Sequence, residues 1–231
     1  MNLSNQEWSD KIICKIDPNF KHRWEMYKDV LKNFLDLNKT WIDCGCGDNS
    51  LVKDLAHLAR NAFGVDIVGT NKVSPNYVKA DIRNMPFSAG CVDLVTLRFV
   101  VEHFKNPEGY FGEIKRVLKT NGKILIITTN LISPVIFIPK FIFPYFIKNQ
   151  ILSKVFKVES KDIYPAYHRI NSPQKYKKLN NGLRLLNVKF ISDLNYTRKL
   201  VFLFLLAYHM CTKIMRLENL RTNLLVILEK E

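Results

Sequence analysis

WIDCGCGDNS, residues 41–50, joins a short buried strand, KTWIDCG, to the periodic run NSLVKDLAHLAR. In that run Leu51, Leu55, Leu58 and Ala59 fall on one helical face. Between strand and helix, Gly45 and Gly47 let the backbone come close to a ligand, and the amides that open the helix supply donors. A Gly-x-Gly alone is a weak signal, because a structural turn can also account for two glycines.

The chain on either side repeats the alternation. AFGVDI (62–67) reads as a second strand, YVKADI (77–82) as a third, VDLVTLRFV (92–100) as a fourth and KILIITTN (123–130) as a fifth. Pro107 suits the first turn of a helix whose Tyr110, Phe111, Ile114, Val117 and Leu118 face the sheet, with Gly122 read as its C-cap. Upstream, Trp24, Tyr27, Leu31, Phe34 and Leu35 predict an amphipathic helix over 22–37. Strands alternating with helices predict a parallel sheet covered on both faces, each crossover right-handed.

Acids narrow the ligand. Asp66 closes the second strand, where a carboxylate can accept both ribose hydroxyls, which suits NAD and S-adenosylmethionine (AdoMet) alike. Three features separate them: Ser50 where a dinucleotide fold wants its third glycine, an acid inside the first motif (Asp43), and Asp81 at the end of the third strand. AdoMet has no pyrophosphate, so it does not need that glycine. An oxidoreductase is the disfavoured rival.

With these motifs in order, the chain from Trp41 to Asn130 resembles the small-molecule class I methyltransferases of the type 11 group, some of which act in quinone biosynthesis. DCGCG, GVDI, KADIRNMPF and CVDLVTLRFVVEHFKNPEGYFGEIKRVLKTNGKILI carry the resemblance. KTNGK departs from the Lys-Pro-Gly-Gly usual in that group, although Gly122 keeps a turn. The resemblance implies a Rossmann-like α/β fold, a mostly parallel seven-stranded sheet with helices on both faces and an apolar helical lid. It implies AdoMet as cofactor, with Asp43, Gly45 and Gly47 around its methionine part and Asp66 on the ribose. Asp81 would meet the adenine amino group, Ile82 the ring, and the Leu97 and Arg98 backbone the methionine amine. As plain structure, Asp43 and Asp66 would be turn residues and Arg98 a surface charge.

The sulfonium already makes the methyl electrophilic, so the protein mainly aligns a nucleophile and excludes water. If a base is used, His103 is the nearest candidate in sequence to the fourth strand, against a structural role at that corner. Tyr164, Tyr167, His168 and Arg169 in YPAYHRINSP are the candidate acceptor residues, against an aromatic packing corner.

At 231 residues, 47% hydrophobic and 24% charged, the chain is expected to form one globular methyltransferase domain. Its expected parts are a helical cap (1–40), the AdoMet core (41–130), a lid (131–185) and carboxyl-terminal strands around an apolar helix (186–231). Cys14, Cys44, Cys46, Cys91 and Cys211 lack disulfide or metal-ligand spacing, so no metal is expected. Their number and the absence of a secretory pattern in MNLSNQEWSDK fit a cytoplasmic protein.

Basic residues exceed acidic ones by 3 over residues 1–130 and by 11 over 131–231. A basic half suits nucleic acid, anionic lipid or an acidic substrate. LISPVIFIPKFIFPYFI (131–147) is apolar, but Pro134, Pro139 and Pro144 would interrupt a spanning helix. LVFLFLLAYHMCTKIM (200–215) falls short of the roughly 20 residues that a span needs. Lys140, Lys148, Lys154, Lys157, Arg198, Lys199, Lys213 and Arg216 flank these segments. Such pairing predicts a lipid-like acceptor and peripheral contact with an anionic membrane, against burial in the core or in a homo-oligomer. RFVVEH stands where base-methylating enzymes carry an Asn/Asp-Pro-Pro-aromatic or Pro-Cys motif, which argues against nucleic acid. An RNA or protein methyltransferase and a non-catalytic AdoMet-binding module remain the alternatives.

Overall fold

The computed structural model describes residues 4–69, 76–142, 165–179 and 182–231. Tyr164, Lys148, Lys154, Lys157 and the middle of the expected lid, residues 143–164, lie outside the described residues, as does the side chain of Lys140.

Seven strands form one sheet in the order β3-β2-β1-β4-β5-β7-β6. They are β1 (Thr40–Cys44), β2 (Asn61–Asp66), β3 (Tyr77–Lys79), β4 (Val92–Arg98), β5 (Leu118–Thr129), β6 (Leu183–Ile191) and β7 (Asn223–Lys230). The pairs β2·β3, β1·β2, β1·β4 and β4·β5 are all parallel, with Cys44 beside Val65 on one side and Leu97 on the other. Trp41, Ile42, Leu94, Val95, Leu97 and Ile124 are fully buried or nearly so, as expected for strands covered on both faces. Strand order reverses between β1 and β4, which puts the ligand crevice of such a sheet outside the ends of these two strands.

The helices in chain order are α1 (Asn5–Ile16), α2 (Arg23–Lys32), α3 (Ser50–Leu55), α4 (Pro107–Val117), α5 (Pro134–Ile142), α6 (Pro173–Lys177) and α7 (Lys199–Ile214). α4 begins at Pro107 and buries Phe111, Ile114 and Val117, as its periodicity predicts. Its C-cap is Leu118, not Gly122: β5 follows at once, and Asn121 takes the left-handed conformation (φ 62°). Gly122 is needed for closeness instead, since a Cβ there would sit 2.8 Å from the Lys119 carbonyl. Pro139 lies inside α5, so this proline does not interrupt the helix; so short a helix has few internal bonds to lose.

The chain divides into two compact units. One contains Tyr27–Thr129, Ala166–Lys189 and Leu224–Glu231, and with them the parallel core. The other contains Met1–Met26, Asn130–Pro165 and Phe190–Asn223. In the second, Ser4 and Glu7 form a capping box that starts α1. Ile13 of α1 packs with Leu194 and with Phe202, Leu205 and Leu206 of α7, and Trp8 meets Phe202 edge-on at 5.7 Å. Asp17, the C-cap of α1, is buried beside His209 (3.0 Å) and Lys213 (2.8 Å), and His209 Nδ1 lies 2.8 Å from Ser192 Oγ.

The other face of α7 is apolar and solvent-exposed. Leu200 (83%), Leu203, Phe204 (61%) and Ile214 (75%) lie along it, with Met215 just beyond. On α5, Phe137, Ile138 and Phe141 are exposed as well. Among the described residues, no helix is long and apolar enough to cross a membrane.

Candidate active site

The loop after β1 carries three left-handed residues, Gly45 (φ 70°), Gly47 (φ 58°) and Asn49 (φ 61°), and ends at the first turn of α3. At Gly45 no side chain fits, because a Cβ would lie 2.3 Å from Val100 Cγ2 in the turn after β4. A Cβ at Gly47 would meet nothing within 4 Å, so the backbone there faces open space. That is the cradle a ligand approached by main chain requires.

Asp66 closes β2 and turns its carboxylate toward this loop. Oδ2 accepts the Gly47 amide at 2.8 Å and Oδ1 the Val68 amide at 2.9 Å, so one side chain ties the glycine loop to the end of β2. The remaining lone pairs of the two oxygens can still accept hydroxyls.

Asp43 lies deeper. It is fully buried; Thr96 Oγ1 donates to Oδ1 at 2.6 Å and Arg98 Nη2 to Oδ2 at 2.8 Å. Trp41 Nε1 donates to Thr96 in turn (2.9 Å). Burial pushes the Asp43 carboxyl up, while Arg98 and Thr96 pull it back. Burial works against the Arg98 charge too, yet Asp43 keeps that guanidinium above its ordinary value. Asp43 is therefore a buried anchor under the loop, held by an arginine whose side chain points inward instead of out as a surface charge. Leu97 beside it is fully buried at the end of β4.

Asp81 and Ile82 follow β3. The hydrogen bond from Arg83, the largest influence, holds the Asp81 carboxyl below its ordinary range, with Arg83 Nη2 2.6 Å away. An adenine amino group would share Asp81 with Arg83. Ile82 is buried and supplies an apolar wall.

The turn after β4 also carries Glu102 and His103. Glu102 is 5% exposed, and its Oε2 accepts the Thr128 hydroxyl at 2.8 Å. Its backbone carbonyl accepts two amides, from Tyr167 (2.7 Å) and His168 (2.9 Å). His168 adopts φ 51°, and its Nδ1 lies 3.3 Å from Thr129 Oγ1. Asn171 Nδ2 donates to Thr128 Oγ1 (2.7 Å) and to the carbonyl and hydroxyl oxygens of Thr129 (both 3.0 Å). The structure thus joins His168 to Glu102, Thr128, Thr129 and Asn171, none of which sequence reasoning singled out for a role. Tyr167 is exposed, as is Arg169. His103 is half-buried at the end of the same turn, its amide on the Val100 carbonyl (3.0 Å).

A parallel sheet reversed between β1 and β4, a glycine loop at that reversal and a carboxylate on β2 are the arrangement of the class I AdoMet-dependent methyltransferase fold. Residues 42–126 match the family model described as a methyltransferase domain. An uncharacterised chloroplastic methyltransferase of Arabidopsis thaliana is 25% identical over 205 residues, covering 82% of this chain and 56% of its own. The ubiquinone/menaquinone biosynthesis C-methyltransferase of Blochmanniella pennsylvanica is 41% identical over 51 residues, 22% of this chain and 20% of its own. Among solved structures, geranyl diphosphate C-methyltransferase from Streptomyces coelicolor superimposes with a TM-score of 0.55 at 17% identity, covering 90% of this chain and 77% of its own. The chain spans about half the length, or less, of the curated relatives it matches.

Proposed function

We propose that the protein transfers the methyl group of AdoMet to a small, lipid-like acceptor met at an anionic membrane surface. AdoMet supplies an electrophilic methyl; the chain's task is to bind, orient and exclude water. In this reading the Gly45–Gly47 loop takes the methionine part, with the Leu97 and Arg98 backbone beneath its amine. Asp66 takes the ribose, Asp81 the adenine amino group, and Ile82 the ring.

The observation that carries the acceptor is the exposed apolar stripe of α7. Leu200, Leu203, Phe204 and Ile214 recur at helical spacing on the solvent side, with Arg198, Lys199 and Arg216 at the two ends, while Lys213 turns inward to Asp17. An apolar face flanked by cations is what lets a helix lie in the headgroup layer, each cation adding about 1 kcal/mol near an anionic leaflet. The relatives named for quinone and geranyl diphosphate methylation act on small molecules, which supports an acceptor of that scale.

Flotation on phosphatidylglycerol vesicles and on neutral phosphatidylcholine vesicles, at low and high salt, tests the surface. The protein is expected to float with the anionic vesicles at low salt, and the double variant L200E/F204E to stay in the soluble fraction with unchanged AdoMet affinity. Incubation with labelled AdoMet and a fractionated cell extract is expected to label the lipid fraction. Recovery in the soluble fraction under every condition, or label entering RNA alone, would overturn the reading.

A further inference from the structure

The ion pair of Asp43 and Arg98 lies at the carboxyl ends of β1 and β4, the two strands between which the sheet reverses. Its members are not equally hidden. Asp43 is 0% exposed, with one oxygen on Thr96 and the other on Arg98, so its carboxylate is sealed from any ligand above the loop. The Arg98 side chain is 18% exposed. What the pair presents to the crevice is therefore its positive member.

The pairing also leaves donors to spare. A guanidinium carries several N–H groups, and a carboxylate met fork to fork would take a pair of them. Here Nη2 alone bonds Asp43, and Nε is buried without a hydrogen-bond partner among the described residues, an uncommon state that a bound anion would relieve. The charge lies beside the glycine loop. Hydrogen bonds from Ser50 hold the Asp48 carboxyl below its ordinary range, and the Arg98 charge adds to that; burial pushes the Cys46 thiol up, and Arg98 works against it. Cys46 and Asp48 flank Gly47, whose backbone faces open space. Phe99, next after Arg98, takes the left-handed conformation (φ 55°), which for so bulky a residue persists only where its surroundings over-determine it.

We infer that the Arg98 side chain, and not Asp43, meets the methionine end of AdoMet, and that it does so by donating to the carboxylate. This rests on the cofactor placement proposed above. The sign of the exposed charge decides which end group the side chain holds: a cation here attracts the carboxylate and repels the ammonium. The ammonium stays with the backbone at Leu97 and Arg98, so a single residue serves both groups. Asp43 acts through Arg98 as a positioning residue, its buried charge keeping the guanidinium drawn inward beneath the loop.

Calorimetry with AdoMet and with decarboxylated AdoMet, which lacks only the carboxylate, tests this without any methyl acceptor. The wild type is expected to bind AdoMet about 10- to 100-fold more tightly than the decarboxylated analogue, the range for a charge-assisted hydrogen bond. Arg98→Ala alone would strand the Asp43 charge and disturb folding, so both charges are removed together. In D43N/R98Q the preference for AdoMet should shrink to about twofold or less. Arg98→Lys, which keeps the charge and loses the fork, should retain part of it. A pair with a structural role only would weaken both ligands alike and leave their ratio unchanged. Equal wild-type affinities for the two ligands, or the wild-type ratio persisting in D43N/R98Q, overturn the inference. A wild type that binds neither ligand overturns the cofactor placement, and the inference with it.

Discussion

The glycine loop after β1 and the solvent face of α7 treat similar side chains in opposite ways. Beneath the loop a carboxylate is fully buried, and an arginine is drawn inward to meet it. On α7, leucines and a phenylalanine face water while cations stand at the helix ends. The loop depends on single atoms: one backbone conformation at Gly45, one buried ion pair, one carboxylate holding two amides. The α7 face depends on a sum of similar residues, none of them individually decisive. Sensitivity to substitution should therefore be concentrated in the first region and spread thinly over the second.

The largest effect is expected from Arg98→Ala. It leaves Asp43 charged and uncompensated in the core, and breaking a buried pair in this way costs about 3–5 kcal/mol. Urea denaturation should show that loss; stability within error of wild type would mean that the pair does not anchor the loop.

A smaller effect is expected from Asp66→Ala. Charge-assisted hydrogen bonds are worth about 1.5–3 kcal/mol each, so AdoMet affinity should fall roughly 10- to 100-fold while the protein stays folded. Part of that fall comes from releasing the Gly47 amide. Asp66→Asn, which keeps one acceptor oxygen, should fall in between when titrated by calorimetry.

The smallest effect sharpens the comparison from the α7 side. Burial pushes the His209 imidazole below its ordinary 6.5. For Asp17, burial opposes the charge, but the hydrogen bonds from Lys213 and His209 hold its carboxyl below the usual range. Both groups bind protons more readily in the unfolded chain than in the folded one. Stability is therefore full above pH 6.5 and fades as pH falls from there through the folded His209 value, then further as Asp17 titrates. Thermal melts followed by tryptophan emission should drop by a few degrees between about pH 7.5 and about pH 5. His209→Gln should flatten that slope, and an unchanged slope would remove His209 as its source.

The glycine loop and the strands that carry it were largely legible because their signals are local. Gly45, Gly47 and the acid of GVDI sit at fixed offsets on adjoining strands, and apolar runs mark strands buried on both faces. What escaped depended on partners distant in sequence. Glu102 gains its burial and its bonds from Thr128, Tyr167 and His168, and nothing in RFVVEH announces them. Arg98 looks like a solvent charge until strand pairing sets it beside Asp43. The exposure of α7 was hidden for another reason: the run is apolar all round, so its period cannot say which face meets the core. Within the expected helical cap, the start of α1 was readable and not singled out, since Ser4 and Glu7 spell a capping box.

Two thiols lie at the glycine loop, and both are chemically quiet. Cys44 and Cys46 are buried; burial pushes the Cys46 thiol up to about 12 and the Cys44 thiol well above its ordinary value, so almost none of either is thiolate at neutral pH. Peroxide and maleimide reagents act on the thiolate, and accessible sulfur is found instead at Cys14 and Cys211 and, in part, at Cys91. Cys211 lies on α7 itself. With Cys14 and Cys91 replaced, a polarity-sensitive dye can be attached there without a reactive competitor in the glycine loop, and vesicle contact and AdoMet binding can then be followed in the same cuvette.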